Sequence, residues 1–169
     1  MVGAVGAALL LAGCGLGSVD GEADAAGVSA GEPTFSPCDD IPDEALRATG
    51  VDPATESRDI VGVKQPGWNI CRWDGTGYTM EVFATVHTFE EVRSNPRNTN
   101  FQPQQVGNRD AVSYQEVSDH RRESCDVAVR SGGGAVLVRA NLHTADPSPE
   151  DRCAIALRTA RQLESYVPR

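Results

Sequence analysis

Lysine is nearly absent from this chain of 169 residues, in which Lys64 is the single example. Lys and Arg together number 15 against 24 Asp and Glu, so the formal net charge is −9. An acidic surface of this size repels phosphate backbones, and we therefore exclude nucleic acid as an expected partner. The length predicts one ordinary domain, alone or with a tail.

Short catalytic motifs are also scarce: the sequence has no H-E-x-x-H, no P-loop and no C-x-x-C. Its imidazoles are His87, His120 and His143. His87 and His143 each follow a predicted strand, where an acid/base or metal-binding role is chemically open to them, but we favour ordinary surface histidines. We predict that the protein is not an enzyme and has no catalytic residue, no metal site and no cofactor.

No apolar run reaches the roughly 20 residues that a membrane-spanning helix needs. Residues 1–17 carry no charge, and residues 5–11 are typical of the apolar region of a secretory signal. A spanning helix is the alternative, but five glycines in this stretch lower its helical propensity. No basic residue precedes the apolar region, which a start codon upstream of Met1 would explain. We predict a signal peptide over residues 1–13.

The sequence Leu11-Ala12-Gly13-Cys14 resembles the lipobox of bacterial lipoproteins, in which the cysteine thiol receives diacylglycerol. Five cysteines in an exported protein leave one unpaired, and lipidation of Cys14 accounts for it. An incidental cysteine in an apolar leader is the alternative. We expect acylated Cys14 to hold the protein on the extracytoplasmic face of the cell membrane, since two acyl chains suffice for stable anchoring.

A stretch of low complexity follows the lipobox. Residues 15–36 contain five Gly, four acidic side chains and no basic one. Such a composition cannot bury a core, so we predict a lipidated, disordered tether over residues 14–36 with a reach of roughly 25 Å. A single extracytoplasmic domain is expected over residues 37–169.

Hydrophobic periodicity and turn residues place the elements of this domain. Thr88 and Glu91 form a capping box, Gly107-Asn108 is typical of a hairpin turn, and Ser148 is the expected N-cap of a long last helix. The resulting fold class is α+β, with an antiparallel sheet of about six or seven strands, a short N-terminal helix and a long C-terminal helix. The predicted strands are 57–64, 68–74, 78–86, 101–106, 109–116, 125–130 and 135–142, and the predicted helices are 42–49, 88–92 and 148–163.

Four cysteines remain for two disulfides, and three connectivities are open. None of their spacings is the short pairing of zinc sites. The predicted elements favour Cys125 with Cys153, because the last helix can cover the strand that Cys125 opens. The other pair is then Cys38 with Cys71, which fastens the entry to the first helix onto a strand.

Trp68 is the first candidate for a binding surface. It lies an odd number of positions from Trp73 on one predicted strand, so the two indoles face opposite sides of the sheet. We expect one of them to pack in the core near Cys71. Trp68, beside Pro66 and Gly67, is the better candidate for a binding-surface aromatic.

Arg121 and Arg122 are the second candidate, within a charged cluster at residues 119–123. Paired guanidinium groups can clamp an anionic ligand, and a solvated loop with local ion pairs is the alternative that we favour. Residues 95–105 are polar enough to form a recognition loop, although a connection without a binding role is the simpler interpretation.

The four domain cysteines have characteristic neighbours. The motifs are Pro37-Cys38 before a helix, Cys71-Arg72-Trp73, Cys125-Asp126-Val127, and Asp151-Arg152-Cys153 at the start of the last helix. In this arrangement the chain resembles the actinobacterial lipoproteins built on domain-of-unknown-function family 3558, over about residues 37–168. The resemblance implies an exported, lipid-anchored α+β domain with two disulfides, and it implies no activity.

These observations favour a non-catalytic lipoprotein of the cell envelope whose domain binds a protein partner or an envelope lipid. A second hypothesis is a sensor or regulatory domain of a membrane complex. A third is a hydrolase of envelope polymers, which would require His87 or His143 in a cleft beside a carboxylate.

Overall fold

The structure is a computed structural model that describes residues 31–169. The predicted signal peptide, Cys14 and most of the predicted tether lie outside the described residues. Within this range the chain forms one antiparallel sheet with short helices at its start and a longer helix near its end, which confirms the predicted α+β class.

Seven strands pair in the order β1-β2-β3-β7-β6-β5-β4, and every pair is antiparallel. The three central strands β3, β7 and β6 are buried along nearly their whole length, whereas β1 and β4 are edges. The strands are β1 Val51–Arg58, β2 Trp68–Gly75, β3 Tyr78–Thr85, β4 Asn98–Val106, β5 Arg109–Glu116, β6 Ser124–Ser131 and β7 Gly134–Leu142.

The helices cover the two faces of the sheet unequally. Ile155 on the last helix packs with Val127 and Val138 in the main core, whereas Val92 packs with Leu137 in a smaller cluster. Val138 and Leu137 are adjacent on one strand, so the two clusters lie on opposite faces. The helices are α1 Pro37–Asp40, α2 Asp43–Thr49, α3 Phe89–Ser94 and α4 Arg152–Gln162, followed by a 3₁₀ turn Glu164–Tyr166.

Two disulfides fasten the helices of the main face to the sheet, with the predicted connectivity. Cys38 of α1 joins Cys71 of β2 with a Cα–Cα distance of 5.4 Å. Cys125 of β6 joins Cys153 of α4 at 5.0 Å. The bridged cysteines are separated by 33 and 28 positions, and loops of this length stabilise the fold by about 3–4 kcal/mol each in the chain-entropy account.

The structure corrects the position of the first strand and the start of the last helix. Gly50 ends α2 in the left-handed region, at φ 94°, and the chain enters β1 at once, so residues 59–67 form a turn rather than the second half of a strand. The N-cap of α4 is Asp151, whose carboxylate accepts hydrogen bonds from the backbone of Cys153 and Ala154. Ser148 lies before that cap.

The packed domain begins before the predicted boundary at Pro37. Phe35 is buried in the main core, and its carbonyl accepts a hydrogen bond from Asn69 Nδ2 at 2.8 Å. The same amide donates to the carbonyl of Pro33. The composition of this stretch does not reveal that it packs on the domain, because one aromatic ring, Phe35, anchors an otherwise Gly- and Ala-rich segment.

Candidate functional site

The second face of the sheet is the one that the helices leave partly open. Among the described residues, one helix packs on that face: α3, which has only six residues. Beside it lies a groove of about 760 Å³ that runs from the β1–β2 turn, across β2, β3 and β7, to the loop after α3. Its lining includes Trp68, Ile70, Phe83, Val92, Leu137, His87, Glu91, Asn98, Tyr114, Glu116, Asp126 and Arg139.

Aromatic rings form one wall of the groove. Trp68 stands edge-on to Phe83, with ring centroids 6.3 Å apart and an interplanar angle of 87°. On its other side Trp68 meets the ring of His87 at 5.6 Å. Trp73 is fully buried in the main core with Cys71, as the parity of the strand predicts. Trp68 therefore presents a half-buried indole to the groove.

The floor of the groove carries a charged triad: Glu116 on β5, Asp126 on β6 and Arg139 on β7. Asp126 and Arg139 are direct cross-strand partners, and the Arg139 Nε donates to Asp126 Oδ1 at 3.0 Å. The far end of the same guanidinium donates to Glu116. The guanidinium also lies 5.3 Å from the centroid of the Phe83 ring, a cation–π contact. Two carboxylates thus share one positive charge.

Asp126 is the most unusual member of the triad because it is only 1% exposed. Its second oxygen, Oδ2, is buried and has no hydrogen-bond partner among the described residues. Burial raises the pKa of Asp126 from 3.8 to about 6, against the opposing effect of Arg139. Burial likewise raises the pKa of the neighbouring Tyr114 phenol above its ordinary range. Because this oxygen is itself buried, a ligand that brings a donor must enter the floor of the groove to reach it.

The hydrolase hypothesis requires a histidine in a cleft beside a carboxylate, and His87 meets part of this condition. It lines the groove, and its Nδ1 lies 3.9 Å from Glu91 Oε1. The Glu91 carboxylate, however, already accepts a hydrogen bond from the backbone N–H of Thr88 in the capping box that begins α3. The pair is therefore explained by helix capping. His143 instead contacts the Thr79 hydroxyl through Nε2 at 3.2 Å.

One sequence pattern for a nucleophilic serine, G-x-S-x-G, spans residues 27–31. The structure describes only Gly31 of this pattern, and extended chain follows it as far as α1. A nucleophile elbow needs a helix that starts directly after the serine turn. The described residues after Gly31 supply no such helix.

Arg121 and Arg122 do not line the groove. Arg121 pairs with Glu123 at 3.3 Å and is largely exposed, and Arg122 adopts a left-handed backbone at φ 57°. The loop is held by Asp119, which accepts hydrogen bonds from the backbone and the hydroxyl of Ser124, both at 2.8 Å. Burial alone would raise the pKa of Asp119, but these hydrogen bonds outweigh it and lower the pKa. The charged cluster is therefore a loop that the carboxylate of Asp119 stabilises from within.

The polar segment 95–105 is mostly strand. Residues from Asn98 onward form the edge strand β4, and the loop before it, with Asn95, Pro96 and Arg97, borders the groove. Sequence reasoning missed the triad on the other side of the groove. A signal was present, because Asp126 and Arg139 each lie next to a run of apolar residues in a central strand, where a charged side chain needs a partner.

A family model described as "Protein of unknown function (DUF3558)" matches residues 9–166. The chain belongs to the DUF3558 family. Neither a curated protein nor a solved structure matches it. The two disulfides of this DUF3558 domain indicate an extracytoplasmic location. Within residues 31–169, no helix is long and apolar enough to cross a membrane.

Proposed function

We propose that this DUF3558 protein is a cell-envelope lipoprotein, anchored through acylated Cys14, whose domain binds an envelope lipid in the groove on the second face of the sheet. The observation that carries the proposal is the buried Oδ2 of Asp126, which lies beside an aromatic wall and has no hydrogen-bond partner within residues 31–169. Small-molecule sites combine an apolar lining with a few convergent polar groups, and this groove has both.

The chemistry of the lining selects an amphiphile with a donor-rich headgroup. An acyl chain or other apolar part has Trp68, Phe83 and Leu137 to lie against. A hydroxyl or ammonium group would donate to Asp126 and Glu116, whose two carboxylates face the single guanidinium of Arg139. The surplus negative charge favours a neutral or cationic donor over a second anion.

A protein partner is the second candidate, and the free edge of β4 is where a peptide strand would add to this sheet. Three features oppose that mode of binding. Pro103 has no N–H, Asn100 adopts a left-handed backbone at φ 57°, and the pairing register shifts between Thr99 and Gln102. These irregularities favour the groove over the edge as the binding surface. A sensor or regulatory role would use the same groove.

Tryptophan fluorescence tests the lipid proposal directly, because the chain has two tryptophans and only Trp68 faces the groove. The oxidised domain of residues 31–169 is titrated with lysophosphatidylethanolamine, a single-chain amphiphile with an ammonium headgroup. We expect a saturable blue shift of emission as the lipid excludes water from Trp68. The Trp68→Phe variant keeps an aromatic wall and should lose the shift, because Trp73 is already buried.

Two further variants separate headgroup recognition from nonspecific adsorption. Asp126→Asn removes the carboxylate and should weaken binding by about 10- to 100-fold, the value of one hydrogen bond to a charged group. Val117→Ala alters an exposed apolar residue outside the groove and should leave binding unchanged. Absence of any spectral change with folded wild-type domain would eliminate the lipid and leave the protein partner.

A further inference from the structure

The turn between β1 and β2, residues 59–67, exposes apolar side chains to an unusual degree. Ile60, Val61 and Val63 are 54%, 93% and 60% exposed. In the part of the chain that the structure describes, Val117 is the one other large apolar residue with comparable exposure. Single exposed aliphatic residues are ordinary, but three within four positions form a patch.

The backbone of this turn is strained at one of the three exposed residues. A bridge between Ile60 and Val63 closes the turn, and Val63 N–H donates to the Ile60 carbonyl at 2.9 Å. Val61 lies at φ 54°, in the left-handed region that β-branched residues rarely adopt. Glycine or asparagine would relieve the strain there. Strained residues cluster at functional sites, so this exposed valine makes the turn a candidate contact surface.

The turn lies beside the start of the described chain. Glu32, near the start of the described chain, pairs with Lys64 at 3.1 Å, and Gly67 N–H approaches the same carboxylate at 3.5 Å. The chain that leads back toward Cys14 therefore leaves the domain beside this turn. The turn carries one acid and one base, Asp59 and Lys64, so it is locally neutral in a protein of net charge −9.

We propose that the β1–β2 turn inserts Ile60, Val61 and Val63 into the boundary between headgroups and acyl chains of the bilayer that holds Cys14. The proposal rests on the anchoring proposed above. A neutral apolar tip enters this boundary without the repulsion that anionic headgroups exert on the acidic remainder of the surface. Ile60, Gln65 and Pro66 also line the groove, so the inserted turn brings the groove mouth to the lipid surface.

Site-specific labelling of the intact acylated protein tests this orientation. The four domain cysteines are paired and Cys14 carries lipid, so Val61→Cys adds one reactive thiol for an environment-sensitive fluorophore. Val117→Cys is the matched control, since Val117 is also an exposed aliphatic residue. Both proteins are placed in vesicles of equal parts phosphatidylglycerol and phosphatidylethanolamine. Some of the lipid carries a nitroxide near the top of the acyl chain.

We expect the label at position 61 to shift to the blue and to lose intensity to the nitroxide lipid, while the label at position 117 does neither. Equal exposure of both labels to water would overturn the proposal. Shielding at position 61 without nitroxide quenching would also overturn it, because a protein would then cover the turn. An intact mass on the same sample separates the causes: acylated Cys14 with a water-exposed turn refutes the turn alone, whereas unmodified Cys14 refutes the anchoring as well.

Discussion

Asp126 is the one fully buried charged residue among residues 31–169, and its partly buried neighbours Arg139 and Glu116 lie with it at the floor of one groove. The arrangement places two carboxylates on one guanidinium and leaves Asp126 Oδ2 without a partner in the described chain. Buried ion pairs with imperfect satisfaction contribute little to stability and are costly to break. Because such a cluster adds little to folding, we propose that it contacts the ligand.

The raised pKa of Asp126 predicts a specific pH dependence of stability. Its folded pKa of about 6 lies above the ordinary 3.8, so between these values the native state holds a proton that the unfolded chain has lost. The contribution of this group to the free energy of unfolding is therefore largest at low pH and falls as pH rises through 6. Asp126→Asn removes this dependence.

Urea unfolding of wild type and Asp126→Asn at about pH 5 and about pH 7.5 isolates the effect from other titrating groups. Relative to the variant, wild type should be less stable at the higher pH than at the lower. Identical pH responses of the two proteins would contradict the assignment of the raised pKa to Asp126.

Arg109 illustrates a second role for arginine at the residue scale, the fastening of the C-terminus. Its guanidinium donates to the carbonyls of Pro168 at 2.8 Å, Val167 at 2.7 Å and Glu164 at 3.2 Å. Arg109→Leu leaves these part-buried acceptors unpaired and should lower the free energy of unfolding by about 2–4 kcal/mol, measured with urea. The exposed pair Arg47–Asp43 supplies the control, because Arg47→Leu should cost less than about 1 kcal/mol. Equal losses would disprove the fastening role.

At the scale of elements, the features that were predictable from sequence are those that local chemistry decides. The Thr88–Glu91 capping box forms both of its hydrogen bonds, and Gly107 supplies the positive φ of the hairpin turn. The first strand was misplaced because Ile60, Val61 and Val63 have the composition of a strand and the conformation of an exposed turn. Their exposure depends on the surroundings of the turn, which no local pattern encodes.

For the groove, too, local sequence patterns predict only part of the structure. Parity on β2 correctly separated Trp68 from Trp73, because side-chain alternation is local. The triad joins three strands, and β7 lies between β3 and β6 in the sheet although it follows both in sequence. Asp126 and Arg139 already face each other across the β6–β7 hairpin. The crossover instead places β3, with Phe83, beside Arg139, so the aromatic wall could not be joined to the triad without the sheet order.

The Cys125–Cys153 disulfide links α4 covalently to the sheet, beside the apolar packing of Ile155. Replacing both cysteines by serine should lower the free energy of unfolding by about 3–4 kcal/mol and the melting temperature by about 10 °C or more. Differential scanning calorimetry of the oxidised proteins measures the change. An unaltered melting temperature would show that the disulfide does not stabilise the fold.

At the scale of the whole molecule, we propose that a lipid anchor, a packed domain and a groove act together. Cys14→Ser should leave the domain of residues 31–169 folded and move the protein from the membrane fraction to the soluble fraction, since the covalent lipid is the proposed anchor. Fractionation with circular dichroism of the released protein makes the test. A variant that stays with the membrane would contradict the proposed anchoring through Cys14.

The central claim, a lipid-binding domain held by its own lipid, is tested most directly by native mass spectrometry of the protein purified from the membranes of a high-GC bacterial host. A denatured intact mass follows on the same sample. We predict a diacylglyceryl adduct, a deficit of four hydrogens for the two disulfides, and a non-covalent lipid that is lost on denaturation. An acylated, oxidised protein with an empty groove would contradict the lipid-binding claim, and an unmodified Cys14 would contradict the anchor.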